Sequence, residues 1–199
     1  MEERARPALR ADLPAMEETL GAAFADDPVI RWLVGPDRAG PARAGCLNRS
    51  IAHGHLEDGL TMVTPGVEAV AVWAAPSRHS IPVHRFLRYL PRLTRALGGG
   101  GLLRIPAMAA VEKLHPPEPH YYLAVLGTHP THQGRGHASA AMQPVFARAD
   151  AEGVPCYLES SKEQNVPYYR HHGFEVIDTH DLANGAGPRL WLMWREPQG

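Results

Sequence analysis

Gln133-Gly134-Arg135-Gly136-His137-Ala138-Ser139 is the stretch of this sequence best equipped to handle an anion. It stands where an apolar strand pattern gives way to a helical one. Free backbone N–H groups at a helix start, with the positive end of the helix dipole, stabilise a group such as a pyrophosphate. Gly134 and Gly136 let the main chain approach such a group with no Cβ in the way, and Arg135 carries a charge for it. Ala138 keeps the following turn small. The stretch does not fit the dinucleotide fingerprint, because Ser139 stands where a third glycine would be, and no phosphate-loop lysine follows. By spacing alone it is as compatible with an ordinary strand-to-helix glycine turn as with a phosphate cradle.

Other residue groups point less far. Of the twelve histidines, His129, His132, His137 and the pair His171-His172 cluster, but none forms His-Glu-x-x-His or joins a cysteine group. Surface or packing roles are expected for them, and no metal. Cys46 and Cys156 are too few and too far apart for a disulfide framework or metal spacing, so both are expected as reduced thiols. Gly98-Gly99-Gly100-Gly101 follows no strand and precedes no Gly-Lys-Ser or Gly-Lys-Thr, which makes it a flexible turn.

The elements that must position these residues can be read from periodicity. A short strand is expected over Pro7 to Arg10, then Asp12 as N-cap of a helix from Leu13 to Phe24 that ends near Asp26-Asp27-Pro28. A second helix runs from about Ala39 to Glu57. Strands Leu60 to Thr64 and Val67 to Ala74 meet in a hairpin at Pro65-Gly66. Helical spacing returns from Ser80 to Leu97 (Phe86, Leu87, Leu90, Leu93, Leu97), with a kink expected at Pro91, and again from Pro106 to Leu114. The second half reads as strand Tyr121–Leu126, helix Gly134–Ala151, strand Cys156–Glu159, helix Gln164–His171, and strands Phe174–Asp178 and Arg189–Trp194. This order predicts an α/β or α+β sheet with helices on its faces.

The bulk properties agree with one soluble domain spanning residues 1–199. Hydrophobic residues make up 44% and charged residues 21%, enough to bury a core and too balanced for disorder. Twenty Lys and Arg against 21 Asp and Glu leave a net charge of -1, which gives no basic field for nucleic acid or an anionic membrane. The apolar runs are too short for a signal peptide or a membrane span, so a cytoplasmic location is expected. Monomer and homodimer are both compatible with the sequence.

Context lifts the glycine stretch out of the ordinary. Leu126-Gly127-Thr128-His129-Pro130-Thr131-His132-Gln133-Gly134-Arg135-Gly136-His137-Ala138 resembles the central motif of the GNAT acetyltransferase superfamily, in which a strand ending in Val-x-Pro leads into Gln-Gly-x-Gly-x-Gly/Ala. Asn165-Val166-Pro167-Tyr168-Tyr169-Arg170-His171-His172-Gly173-Phe174 is similar to a second motif of that superfamily. Further similarity, spanning about Phe24 to Trp194, is to its puromycin N-acetyltransferase branch. It is carried by Ala25-Asp26-Asp27-Pro28, Val70-Ala71-Val72-Trp73, Pro117-Glu118-Pro119, Leu158-Glu159-Ser160 and Pro188-Arg189-Leu190-Trp191-Leu192-Met193.

The resemblance implies a GNAT fold: a mixed, mostly antiparallel sheet of six to seven strands, splayed at the cofactor strand, with helices on both faces. It implies acetyl-CoA as co-substrate. The main chain of Leu126, Gly127 and Thr128 would hold the pantetheine, Gly127 suiting a bulge or a close backbone approach. A backbone N–H there would also stabilise an oxyanion, worth about 3 kcal/mol in other acyl-transfer sites. Gln133 to Ser139 would hold the pyrophosphate. His137 stands where the superfamily commonly has an aliphatic residue, so it either touches the adenine-phosphate end or is a solvated helix side chain. Tyr169, four residues before Gly173, takes the position of the superfamily's general acid, which leaves Tyr168 as the core aromatic. Asn165 would contact the pantetheine or order the Tyr169 loop. Glu159 is the first choice for general base, with His120 and Tyr122 as alternatives. Asp26 and Asp27, on the acceptor side by this resemblance, would attract a cationic amine or simply end a helix, the second being preferred.

The function implied is direct transfer of acetyl to a small-molecule primary amine, plausibly an aminonucleoside or related antibiotic, as resistance or detoxification. Competing readings are a peptide or protein N-acetyltransferase, a non-catalytic acyl-CoA-binding module, and a nucleotide-binding protein of another family.

Overall fold

The computed structural model describes residues 4–76 and 83–199, the segment 83–89 by its backbone alone. Seven strands form one open mixed sheet in the order β1-β2-β3-β4-β5-β7-β6. They are β1 Arg6–Pro7, β2 Met62–Val63, β3 Ala69–Ala74, β4 Tyr121–Thr128, β5 Cys156–Ser160, β6 Glu175–Asp181 and β7 Arg189–Arg195. Only β4 and β5 run parallel; every other neighbouring pair is antiparallel. The helices are α1 Leu13–Ala23, α2 Pro28–Val34, α3 Pro41–His55, α4 Val83–Leu102, α5 Ile105–Val111, α6 His137–Glu152 and α7 Val166–His171.

Apolar residues of β3 face both ways, which is why the whole strand Ala69–Ala74 is buried. Ala69, Ala71 and Trp73 pack with Met142, Val145 and Phe146 of α6, while Val70 and Val72 pack with Met16 and Leu20 of α1 and Ala52 of α3. Helices thus cover both faces, as expected for a sheet whose central strand has no polar side. A β-bulge interrupts the β3–β4 ladder: Val72 pairs with Val125 and Trp73 with Leu123, so Ala124 has no partner on β3. One extra residue reverses which side chains face which layer. Tyr121 and Leu123 accordingly belong to the α6 side, and Val125 to the α1 side.

The bulge lies at Ala124 and not at Gly127. Gly127 answers to the other expectation, close approach. A Cβ there would stand 2.9 Å from Leu20 Cδ2, 3.0 Å from Phe24 Cε2 and 3.1 Å from Ala23 Cβ, so its absence lets the end of α1 lie directly on β4.

Three local expectations change in the structure. Asp12 precedes α1 but does not cap it; its carboxylate accepts from the Leu9 N–H at 2.7 Å and pairs with the Arg6 guanidinium. Asp27 does more than close α1. It opens α2, a helix the sequence reading did not expect, with Pro28 at the first position where no N–H is needed. In α4 the non-helical backbone falls at Gly98 (φ 65°) instead of Pro91, because glycine takes positive φ without strain whereas Pro91 continues the helix. The expected start of that helix at Ser80 lies outside the described residues, as do the side chains of Phe86 and Leu87.

Strand β7 is tied to α6 by an ion pair whose arginine is buried. Arg195, 3% exposed, donates to both carboxylate oxygens of Asp150 at 2.7 and 2.9 Å. Its Nε donates to the His172 carbonyl at 3.1 Å, and the guanidinium lies 4.6 Å from the centre of the Phe146 ring. Those hydrogen bonds from Arg195 hold the Asp150 carboxyl below its ordinary value. With the folded pKa below the unfolded ~4, the contribution is complete above that value and is lost as pH falls through the folded one. Asp150→Ala would leave the guanidinium buried and unpaired, at a cost of about 3–5 kcal/mol. We expect its melting temperature to drop by about 6–15 °C at pH 7. The gap from wild type should narrow in acid; a constant gap from pH 7 to pH 3 would contradict the role of the pair.

Candidate active site

The site originates where β4 and β5 stop pairing. Their register contains only Tyr121↔Cys156 and Tyr122↔Tyr157. Beyond those two pairs the strands diverge and enclose a cleft of about 690 Å³ between Leu123–Thr128 and Leu158–Lys162. The β4 main-chain groups that point away from β3 open into this cleft without a strand partner. Such an edge pairs with an extended ligand carrying amide groups.

At one end of the cleft the chain turns into α6. Gly134 (φ 73°) and Gly136 (φ 81°) are left-handed, so the helix starts at His137, three residues later than the spacing suggested. The first intrahelical bond runs from Ala140 N–H to the Gly136 carbonyl at 2.9 Å. The amides of His137, Ala138 and Ser139 therefore stand free at the positive end of a 16-residue helix. Gln133, Gly134, Gly136, His137, Ala138 and Ser139 line the cleft together with Leu126, Gly127 and Thr128. Arg135 does not: it is exposed and outside the lining, because the left-handed turns on either side of it point the residue to solvent. Ser139 Oγ is committed to the Tyr168 hydroxyl at 3.1 Å and His172 Nε2 at 3.0 Å, which leaves its backbone N–H as the group for an anion. His132 stacks edge-on between His129 and His137, with ring centres 6.0 and 5.9 Å apart.

Residues of α7 and β5 also line the cleft. Tyr169 is 8% exposed and belongs to the buried cluster under α6, yet it lines the cleft. Its hydroxyl has no hydrogen-bond partner among the described residues. Burial, then the charges of Tyr168 and Asp27, push its phenol well above the ordinary value, so it stays protonated through neutral pH. Tyr168, expected as the core aromatic, is the less buried of the two and also lines the cleft. Asn165 is exposed on the cleft wall and makes no side-chain cap bond to α7, so it does not order the Tyr169 helix.

Glu159 lines the cleft as well, with a side chain only 7% exposed. Its Oε1 lies 3.2 Å from His115 Nε2, a neighbour the sequence did not signal. The alternatives fare differently: His120 and Tyr122 lie behind Glu159 and outside the cleft lining, His120 being fully buried. Burial lowers the His120 imidazole from its ordinary value. Burial, then the charge of Glu159, raises the phenols of Tyr122 and Tyr157.

Asp26 and Asp27 clasp the cleft mouth. Asp27 Oδ1 accepts from the N–H groups of Val29 and Ile30 at 2.9 and 3.0 Å, and its Oδ2 accepts from Ser161 Oγ. Lys162 Nζ donates to Asp26 Oδ1 at 2.7 Å and holds that carboxyl below its ordinary value. Asp27 is thus fully engaged by the protein, in agreement with the preferred structural role. The pair joins the α1–α2 connection to the chain leaving β5.

This geometry has counterparts in known proteins. The profile of the family described as Acetyltransferase (GNAT) family matches residues 76–174. An uncharacterized N-acetyltransferase of Schizosaccharomyces pombe is 30% identical over 193 residues, covering 90% of this chain and 78% of that protein. The chain belongs to the GNAT acetyltransferase family. Among solved structures, one from Corynebacterium glutamicum described as histone acetyltransferase HPA2 and related acetyltransferase is 26% identical. It superposes with a TM-score of 0.67 and covers 100% of this chain and 98% of its own. A polyamine N-acetyltransferase of Drosophila melanogaster shares the fold at 14% identity, with a TM-score of 0.68 over 96% of this chain and 98% of its own.

As a GNAT acetyltransferase the chain is an acyltransferase with acetyl-CoA as donor. The open edge of β4 and the three free amides of α6 suit the amide-bearing arm and the phosphates of that molecule. Among the described residues, no group of three or more His, Cys, Asp or Glu is placed to hold a metal, and no helix is long and apolar enough to cross a membrane. For the clasp, Asp27→Ala removes the N-cap of α2 as well as the Ser161 bond, and a loss of about 1–2 kcal/mol in stability is expected. Hydrogen exchange at the Val29 and Ile30 amides should accelerate, and Asp27→Asn should restore most of the protection. Unaltered exchange in the alanine variant would contradict the assignment.

Proposed function

We propose that this chain is one acetyltransferase domain that moves acetyl directly from acetyl-CoA to a primary amine of a small molecule. The observation that carries the reading is the cleft between the diverging β4 and β5, lined by the first turn of α6 together with Tyr169 and Glu159. In this reading the main chain of Leu126, Gly127 and Thr128 pairs with the pantetheine, and one of its N–H groups faces the developing oxyanion. Gln133, Gly134, Gly136 and the amides of His137, Ala138 and Ser139 hold the pyrophosphate. Arg135 is left as a solvent-side charge near it. Asn165 contacts the pantetheine from the opposite wall.

Acetyl-CoA supplies the acetyl group as an activated thioester. Glu159 takes the proton that a primary amine must lose before it attacks; Tyr169 delivers one to the departing thiolate and is made good by the second proton that the attacking nitrogen loses as the amide forms. Direct transfer is supported by the state of the cysteines. The Cys156 thiol is fully buried and pushed up to about 12 by that burial, so it supplies no thiolate nucleophile.

A small acceptor is supported by the mouth, where Asp26–Lys162 and Asp27–Ser161 fasten one rim of the cleft to the other. The Drosophila protein of the same fold is named for polyamines and forms N-acetylagmatine, the acetylated product of a small cationic amine. The motifs shared with the puromycin N-acetyltransferase branch favour an aminonucleoside within this class. A peptide acceptor is the second reading, favoured by the C. glutamicum protein described as histone acetyltransferase HPA2 and related.

A free-thiol release assay with acetyl-CoA across polyamines, agmatine, arylalkylamines, puromycin and N-terminal peptides separates these readings. Turnover of small amines supports the proposal, and turnover of peptides alone would overturn it. With an active acceptor, Tyr169→Phe should lower kcat by about 100-fold with little change in the KM for acetyl-CoA. Because its phenol is raised above ~10, wild-type activity should not fall through Tyr169 deprotonation anywhere below that pH. An unchanged kcat in the phenylalanine variant would remove Tyr169 from the chemistry.

A further inference from the structure

Behind Glu159, on the side away from the cleft, lies a buried chain of polar groups that the reaction as described so far does not use. His120 Nδ1 is 2.7 Å from the Glu118 carbonyl, and His120 Nε2 is 3.3 Å from His115 Nδ1. His115 Nε2 in turn is 3.2 Å from Glu159 Oε1. The rings are held by aromatic neighbours: His115 against Tyr122 at 4.5 Å and Tyr157 at 4.8 Å, His120 against Tyr157 at 5.3 Å and Trp194 at 5.5 Å between centres. His115 is as enclosed as its partner, with a side chain 9% exposed.

Hydrogen-bond logic fixes the protons along this chain. A carbonyl oxygen only accepts, so His120 Nδ1 carries a hydrogen. His120 is fully buried, which favours its neutral form, so its Nε2 is an acceptor. The hydrogen between the two rings therefore belongs to His115 Nδ1. That tautomer turns the basic nitrogen of His115, its Nε2, toward Glu159.

We propose that His115 and Glu159 act as one proton-accepting unit for the acceptor amine, with His120 as the positioning residue that fixes the tautomer of His115. The inference rests on the acetyltransferase reading of the cleft and deepens it. The N–H bond of the bound ammonium breaks, its electron pair stays on nitrogen as the nucleophile, and the proton passes to Glu159 and is held between Oε1 and His115 Nε2. The unit returns that proton to solvent through the cleft, so one proton leaves per turnover. Two proton-accepting atoms 3.2 Å apart, Glu159 Oε1 and His115 Nε2, can share the one proton that a general base takes from the amine. Other ionisable groups also face the unit. Tyr122 and Tyr157 flank it, Glu118 and the more distant Glu112 act on its rim, and Asp178 acts on Tyr157.

The test has two arms. With ¹⁵N-labelled histidine in the whole chain, NMR should show His120 as the Nδ1–H tautomer and neutral His115 as Nδ1–H as well. A neutral His115 carrying its hydrogen on Nε2 would overturn the proposal whether or not an acceptor is known. With an active amine, His115→Gln should lower kcat/KM about tenfold or more and move the acidic limb of its pH profile down by about one unit. Acetyl-CoA affinity and melting temperature serve as controls for folding. His120→Gln, whose amide oxygen can still accept from His115 Nδ1–H, should keep the limb in place, while His120→Leu should shift it as His115→Gln does. A uniform loss of rate without any shift would reduce the pair to packing and leave the acetyltransferase reading standing. If no amine is turned over, that reading fails, and the tautomer measurement still decides the relay.

Discussion

The divergence of β4 from β5 is the constraint around which the rest of this molecule is arranged. Two parallel strands that pair for two residues and then part leave main-chain donors and acceptors of β4 without partners inside the sheet. Unsatisfied backbone groups are tolerated only where water or a ligand reaches them. The gap must be held open by the parts of the fold that pack around it.

Both helical layers contribute to holding it. The bulge at Ala124 turns Leu123 toward α6 and Val125 toward α1, so that β4 is gripped from both faces just beyond the point where β5 departs. At Gly127 the missing Cβ lets Leu20, Ala23 and Phe24 lie on the strand, which places the α1–α2 connection at the cleft mouth. From there Asp26 and Asp27 reach Lys162 and Ser161 on the far wall. On the outer side, Arg195 and Asp150 fix β7 to the end of α6, so the helix whose first turn faces the cleft is anchored at its other end as well.

The same divergence decides where charge sits. Because β5 leans away, Glu159 stands between open cleft on one side and a packed aromatic and imidazole cluster on the other. Tyr169 also lines the cleft, and its burial keeps the phenol protonated through neutral pH.

Much of this was legible in the chain itself. The glycine spacing of Gly134 and Gly136, the helix after it and the Asn165–Phe174 stretch are local signals. Backbone conformation at glycine and helical periodicity are set by near neighbours, so the glycine turn before α6, the order of the elements of the second half and the family could be read from them. The pairing of His115 with Glu159 and of Asp27 with Ser161 could not, since both join residues far apart in sequence through the crossing of strands and helices. The same holds for the bulge, since register belongs to two strands jointly and is fixed by what packs on their faces. Even Asp27-Pro28 carried the local signature of a helix start, masked because it follows so closely on the end of another helix. Sequence alone determined the family, the glycine turn ahead of α6 and the position of Tyr169 in its motif; the tertiary structure decided what stands behind Glu159, because only packing brings distant polar groups within a few ångströms of one another.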